Sequence, residues 1–386
     1  MLWKKGITAF LVAALGVGSA AAAEILVGSD IPLTGSLARV GTSTHEGIQT
    51  AVEVFNQTNG KHTIKLITVD NESSPAKAIA GVEKMASQGV VAFTGGYGTN
   101  VVSPAAEAAD KLGLPYVTTG VFSDSITEKG LKTYFRVINS DGYRKSILGL
   151  IESLDAKSVS IVYSAREATS GLAKDLQQSL QGTGYRVTMH EFDPAATDFK
   201  PIINKIKLND RSELLVISGY ENDYLNIIRA ARVLKPPVKA IIGAWGIATA
   251  PMAKNHGEIL NHTFGTSMVS YPPEFKTDEG KVFSQNFDKI FHKEPDYLAM
   301  FGYVQSMILF EAIARVLDQG ALEPAKIVAE LAKTDRETLI GRVKFNEKND
   351  NQYFTQYMGQ HQNGKIVIVW PQEKATAPMI YPGVPW

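Results

Sequence analysis

The sequence predicts an α/β fold of two Rossmann-like lobes with mostly parallel sheets, and three observations predict it. Strand and helix signals alternate from Glu24 onward with little irregular chain between them. The alternation falls into two sets of similar length, divided near 134–137. At 386 residues the chain is longer than one hydrophobic core usually serves, so two domains are the default. No repeat of about 20–50 residues is visible, which removes a solenoid.

The first set opens with a strand over 25–31, a loop over 32–41 and a helix over about 44–59. Ile48, Ala51, Val52 and Phe55 share one face of that helix, and Gly60 stops it. A strand follows over 64–69. Ser74 and Pro75 then supply an N-cap and a first helical position for a helix running to Ser87. The apolar run 90–93 reads as a buried strand, and a helix former starts at Pro104 and ends at Gly113. Between them lie three glycines, Tyr97 and Thr99. A strand passing through glycines into a helix start presents free N–H groups beside hydroxyls, which suits an anion such as a carboxylate. A tight connection using glycine for geometry alone reads the stretch equally well. A strand over 114–118 spills into 119–124, and 134–137 leaves the unit.

The second set reads as a helix near 146–154, a strand over 159–163, a helix over 171–180 and a strand over 185–192. Phe199, Ile202, Ile203 and Ile206 mark another amphipathic helix. A strand over 214–218, a helix over 222–234 and a strand over 238–243 complete the set. Helical patterns over 278–291, 297–319 and 324–332 follow, then short strands near 342–345, 353–358 and 366–370. This reads as chain returning to finish both lobes. The tail from 371 carries four prolines and no periodicity.

Composition excludes several functions. With 39 basic and 39 acidic residues and no basic block, nucleic-acid binding has no electrostatic support. The absence of cysteine excludes disulfides, thiolate catalysis and thiolate metal sites. Lys4 and Lys5 precede an apolar run over 7–17, and Ala21, Ala22 and Ala23 give a small-residue cleavage pattern. A signal peptide over 1–23, cleaved after Ala23, is expected, leaving an exported chain whose formal charge moves from 0 to −2 on losing the two lysines. No later stretch reads as long and apolar enough to cross a membrane.

Groups for catalysis are sparse. The seven histidines are scattered, and His256 and His262 have the wrong spacing for one helical face. There is no nucleophile elbow, Walker loop or zincin motif. Gly96-Tyr97-Gly98 begins like a dinucleotide fingerprint, but Val101 stands where its third glycine belongs. No enzyme activity, metal or cofactor is expected. The candidates are instead polar and aromatic residues that follow strands and therefore gather at the carboxyl edges of the sheets. They are Arg39, Tyr97, Gly98, Thr99, Gly120, Val121, Phe122, Ser123, Tyr220 and Trp245. Arg39 is a bidentate donor for carboxylates or a solvated loop arginine. Trp245, in a Gly-Ala-Trp-Gly turn, reads as a stacking wall; Tyr97 and Phe122 either stack likewise or pack between loop and helix.

The chain resembles the leucine/isoleucine/valine-binding family, the type I periplasmic binding proteins of ABC importers. The residues that carry this are the strand and Pro-Leu-Thr-Gly of 25–35, Asp70 before the Ser-Pro-Ala-Lys-Ala helix and the loop of 93–104. Tyr134-Phe135-Arg136, Gly171-Leu172-Ala173 and Val304-Gln305-Ser306 complete the match, which spans essentially the whole mature chain. The resemblance implies two lobes joined by a three-strand hinge, with crossovers near 139–141, 270–272 and 348–352. It gives lobe I as 24–140 plus 273–350 and lobe II as 141–272 plus 351–386. It also implies a ligand in the cleft, hinge closure, a membrane permease as partner and a monomer in the periplasm.

Residue by residue, Thr99 matches the family's carboxylate-holding hydroxyl, and Gly120 with Phe122 or Ser123 matches the loop after the fourth strand. Tyr220 matches a tyrosine of the second lobe. Three departures stand out. Trp245 occupies the place of an acid that pairs with an amino-acid ammonium, leaving Glu221 or Asp223 to supply that charge. Ala168 stands where an aromatic is frequent, and Phe122 replaces a small hydroxyl residue. Together they imply a flat, apolar or aromatic carboxylate stacked on Trp245. Branched-chain amino acids for the same kind of importer, and a ligand sensor for a signalling partner, are the alternatives.

Overall fold

The computed structural model describes residues 23–386. The expected leader lies outside them, apart from Ala23, which opens the first strand. Lobe I begins with β1 (Ala23–Ile31), α1 (Ala38–Asn59), β2 (His62–Asp70), α2 (Pro75–Ser87) and β3 (Ala92–Gly95). It continues with α3 (Thr99–Lys111), β4 (Tyr116–Thr118) and β5 (Tyr134–Arg136). Lobe II takes α4 (Ser140–Ser153), β6 (Ser158–Ser164), α5 (Glu167–Leu180), β7 (Arg186–Phe192) and α6 (Lys200–Lys205). Then come β8 (Leu214–Ser218), α7 (Glu221–Leu234), β9 (Ala240–Gly243), α8 (Ala250–Leu260) and β10 (Phe264–Ser267). The chain returns to lobe I for α9 (Asp278–Phe291), α10 (Tyr297–Asp318), α11 (Pro324–Ala332) and the hairpin of β11 (Asp335–Thr338) and β12 (Gly341–Lys344). It finishes the second sheet with β13 (Tyr357–Gln362) and β14 (Lys365–Trp370).

The first sheet has the order β2-β1-β3-β4-β5 and is parallel throughout. The second has the order β14-β13-β10-β9-β8-β6-β7, parallel except that β13 runs against both neighbours. β6 and β8 are buried along their whole length, as strands covered by helices on both faces must be. In each sheet the first strand of the set, β1 or β6, lies inside the sheet with its successors on either side. The loops leaving that edge therefore splay apart and open a crevice.

Several boundaries differ from the sequence reading. α1 begins at Ala38, within the expected loop, because its N-cap Leu37 offers no side-chain oxygen to signal a start. α3 begins at Thr99, so half of the expected polar loop is helix and Pro104 sits inside it. Burial of Val101, Val102, Ala105 and Ala106 outweighs the poor local propensity. α8, β10 and β11 had no counterpart in the sequence reading. A kink at His256 breaks the helical period of α8, and the two strands are four residues each.

One expectation is corrected outright. α10 is long and apolar enough to cross a membrane by length and composition. Nearly all of its apolar window is buried among lobe I residues, so it is the core helix of that lobe.

Candidate functional site

The cavity between the lobes is bounded by the loops that leave β3 and β4 on one side and β6, β8 and β9 on the other. Tyr97, Gly98 and Thr99 come from the first loop, and Thr119, Gly120 and Phe122 from the second. Lobe II contributes Ala168, Tyr220 and Trp245. The space left is about 20 Å³, room for roughly one water. A ring-sized solute therefore enters only if the lobes part or the walls move.

The lobe I loops are held from beneath by α10. The Gln305 side-chain oxygen accepts from the Thr119 backbone N–H at 2.5 Å and from its hydroxyl at 2.7 Å, while its amide donates to Thr94 at 3.2 Å. Gly98 N–H donates to Gly120 C=O at 2.9 Å, locking the two loops together. A Cβ at Gly120 would lie 2.0 Å from the Gly96 carbonyl oxygen, so only glycine permits that approach. Gly120 N–H is already given to Thr118 Oγ1 at 2.8 Å. Thr99 opens α3, where the first N–H groups of a helix have no partner within it. Its hydroxyl accepts a 3.4 Å bond from Ser123 N–H and keeps its own proton to donate.

Wholly buried Arg136 fixes the carbonyls of Phe122 and Ser123 at 2.8 and 3.0 Å. It also donates to both carboxylate oxygens of Asp350 at 2.9 and 2.6 Å, tying this loop to the third crossover.

Rings from both lobes meet across the cleft. The Trp245 ring centroid lies 4.8 Å from Phe122, 6.0 Å from Tyr143 and 6.2 Å from Tyr220. Trp245 is 5% exposed, and its indole N–H is buried with no partner among the described residues. Its carbonyl accepts from the Tyr224 hydroxyl at 3.0 Å. Gly246 adopts φ 81°, the left-handed region that lets the turn reverse sharply after the tryptophan. Among the described residues no Asp, Glu, Lys, Arg or His lines the cavity. Burial holds Tyr97 and Tyr143 as neutral phenols, and pushes Tyr220 up to about 12. Among the described residues no set of three or more His, Cys, Asp or Glu gathers as metal ligands.

Seven of the ten sequence candidates thus line the cavity: Tyr97, Gly98, Thr99, Gly120, Phe122, Tyr220 and Trp245. Three do not. Val121 points into the lobe I core, and Ser123 caps the short 3-10 turn that follows it. Arg39 does not line the cavity, its donors engaged by Glu221, Gly246 O and Thr249. The structure thus does not bring Arg39 to the cavity as the carboxylate grip that the sequence suggests. Both acids offered as an ammonium partner are also committed: Glu221 pairs with Arg39, and Asp223 accepts the Tyr220 N–H at 2.9 Å.

The sequence reading missed Thr119, Ile138, Tyr143, Leu298 and Phe301 as lining residues. Ile138 and Tyr143 flank the first crossover, whose Asn139 N-cap was a readable signal. Leu298 and Phe301 sit in an unbroken apolar helix, where nothing separates a lining position from a core one.

Comparison with known proteins matches residues 24–364 to the periplasmic binding protein family model. A Leu/Ile/Val-binding protein homologue of Brucella abortus is 25% identical over 94% of this chain and 94% of its own length. Two solved structures share the fold. The branched-chain amino acid transporter substrate binding protein LivJ from Streptococcus pneumoniae, in complex with isoleucine, has a TM-score of 0.79 at 24% identity. That match covers 93% of this chain and 100% of LivJ. An ABC transporter solute binding protein from R. palustris, in complex with benzoate, has a TM-score of 0.79 at 17% identity. It covers 93% of this chain and 98% of its own.

Proposed function

The chain belongs to the periplasmic binding protein family, and from that premise we propose that it is the non-catalytic solute receptor of an ABC importer, closing its lobes on a small aromatic carboxylate. The observation that carries this reading is the make-up of the cavity: rings from both lobes, neutral hydrogen-bond donors, and no charged side chain. A zwitterionic amino acid would bury its ammonium there without a counter-charge, which costs several kcal/mol. A carboxylate is better served, since Thr99 and the α3 N-terminus offer donors and the dipole of a helix start favours an anion. The unpartnered Trp245 indole N–H supplies another donor, and its ring supplies the stacking face. In this reading a flat ring enters between Phe122 and Trp245, which now touch.

We place the lobe boundaries as 24–140 plus 273–350 and 141–272 plus 351–386. We also propose a leader cleaved after Ala23, a monomer in the periplasm, and a permease as its partner.

A thermal-shift screen of residues 24–386 tests the ligand class. Benzoate and 4-hydroxybenzoate at about a hundred times their dissociation constants should add roughly 2.7 kcal/mol of stability, a visible shift. Leucine and isoleucine should add none. Stabilisation by leucine alone would favour the second reading, a branched-chain amino acid receptor, which the names of the relatives support. A sensor role is separated by asking whether a permease or a signalling protein co-purifies with the loaded form.

A further inference from the structure

The Trp245 turn belongs to lobe II by sequence, yet lobe I holds the peptide beside it. Gly246 N–H donates to the Tyr297 hydroxyl of α10 at 2.6 Å. Gly246 C=O accepts from Arg39 Nη2 of α1 at 3.1 Å. The same guanidinium reaches Thr249 Oγ1 at 3.3 Å and donates through Nε to Glu221 in the first turn of α7. Two helices of lobe I therefore grip the two peptide groups flanking Gly246 of lobe II, immediately next to the ring that walls the cavity.

An exposed ion pair alone would contribute little. Here the planar guanidinium directs donors at three separate groups of the other lobe, which fixes geometry as well as charge. Parting the lobes breaks all of these contacts together with the Tyr297 bond. They are thus differential contacts between open and closed states, which any shift in that equilibrium requires.

We infer that Arg39, assisted by Tyr297, is a positioning residue that couples lobe closure to the placement of Trp245, setting affinity without touching the solute. This rests on the reading of the Trp245 cavity as the solute site.

The absence of cysteine allows a clean distance measurement. Lys84→Cys on α2 and Lys174→Cys on α5, both at exposed positions, carry spin labels in otherwise full-length protein. Interlobe distances are measured without added ligand for the parent, Arg39→Glu, Glu221→Arg and the double exchange. Each single change should lengthen the distances, and the exchange should return them toward the parent. Benzoate titration should show affinity falling about tenfold in Arg39→Glu and recovering at least about threefold in the exchange. Arg39→Gln replaces Arg39→Glu if the latter fails to fold, and should lengthen the distances likewise. Unchanged distances in the single variants, or an exchange no closer to the parent than they are, would overturn the inference. A parent that ignores benzoate sinks the ligand reading only, because the distances still decide the clamp.

Discussion

Lobe I meets the cavity with a helix N-terminus, the Thr99 hydroxyl, two interlocked glycine loops and the rings of Tyr97, Phe122 and Phe301, whereas lobe II meets it with Trp245, Tyr220 and the small side chain of Ala168. The first wall is stiff, because Gln305 and Arg136 fix its loops from buried positions. The second depends on its neighbour, since the Gly246 peptide is held by Arg39 and Tyr297. On the proposed reading, the difference assigns two tasks: lobe I orients a polar end, and the Trp245 wall of lobe II recognises a shape once the lobes have met.

The sharpest way to break that division is Trp245→Ala. Removing the ring deletes the stacking face and the indole donor, as at a central binding hot spot, so benzoate affinity should fall about a hundredfold by calorimetry. Binding within about threefold of the parent would show that lobe II does not read shape through this ring. Thr99→Val probes the other wall with nearly the same volume. Losing one hydrogen bond to a charged oxygen should weaken benzoate about tenfold, while leaving the preference for aromatic over aliphatic acids intact. A change in that preference would mean that the two tasks are not separable.

The two walls also differ in how far the sequence disclosed them. β8, α9 and α11 are read to the residue because an apolar run or period ends in polar flanks there, with the Thr277 cap marking the start of α9 and Pro324 that of α11. Trp245 was legible because a tryptophan among glycine and alanine has no ordinary core role. Arg39 was not, since its partners Glu221 and Gly246 lie about two hundred positions away, and local pattern carries no information about contacts made between two lobes. Tyr143, Leu298 and Phe301 failed for a related reason: burial against a lobe and burial against a cavity leave the same apolar signature.

Buried groups in the two sheets respond to pH in opposite directions. Asp30, at the end of β1, is wholly buried, and burial pushes its carboxyl up to about 8 despite a hydrogen bond from Asn71. The folded state holds that proton more tightly than the unfolded state. Its contribution is complete below about 3.8 and is lost as pH rises to about 8, at about 1.4 kcal/mol per unit within that window. His361 in β13 behaves oppositely: burial lowers it to about 4, so stability present above 6.5 is lost as pH falls toward 4. His45, on α1, is lowered to about 4 as well and adds to the acid loss. Asp30→Asn should flatten the fall of the melting temperature between pH 5 and about 8 while leaving the acid limb unchanged. An unaltered profile would mean that Asp30 ionises normally in the folded chain.

The smallest expected effect concerns the rim of the ring-bearing wall. Arg166, half-buried in the turn after β6, lies with its guanidinium 5.3 Å from the Tyr220 ring centroid, and no acid pairs with it among the described residues. It does not line the cavity, so it does not take the carboxylate-orienting role proposed for Thr99. A cation at the edge of a neutral cavity instead raises the local concentration of anions and speeds their entry. Arg166→Gln should therefore slow benzoate association by about two- to fivefold at low salt, with dissociation nearly unchanged, and the difference should vanish as ionic strength approaches 1 M, where the Debye length is about 3 Å. If the substitution instead accelerates dissociation regardless of salt, Arg166 reaches the bound solute. Lobe II would then supply an orienting charge, and the division of tasks between the walls would be wrong.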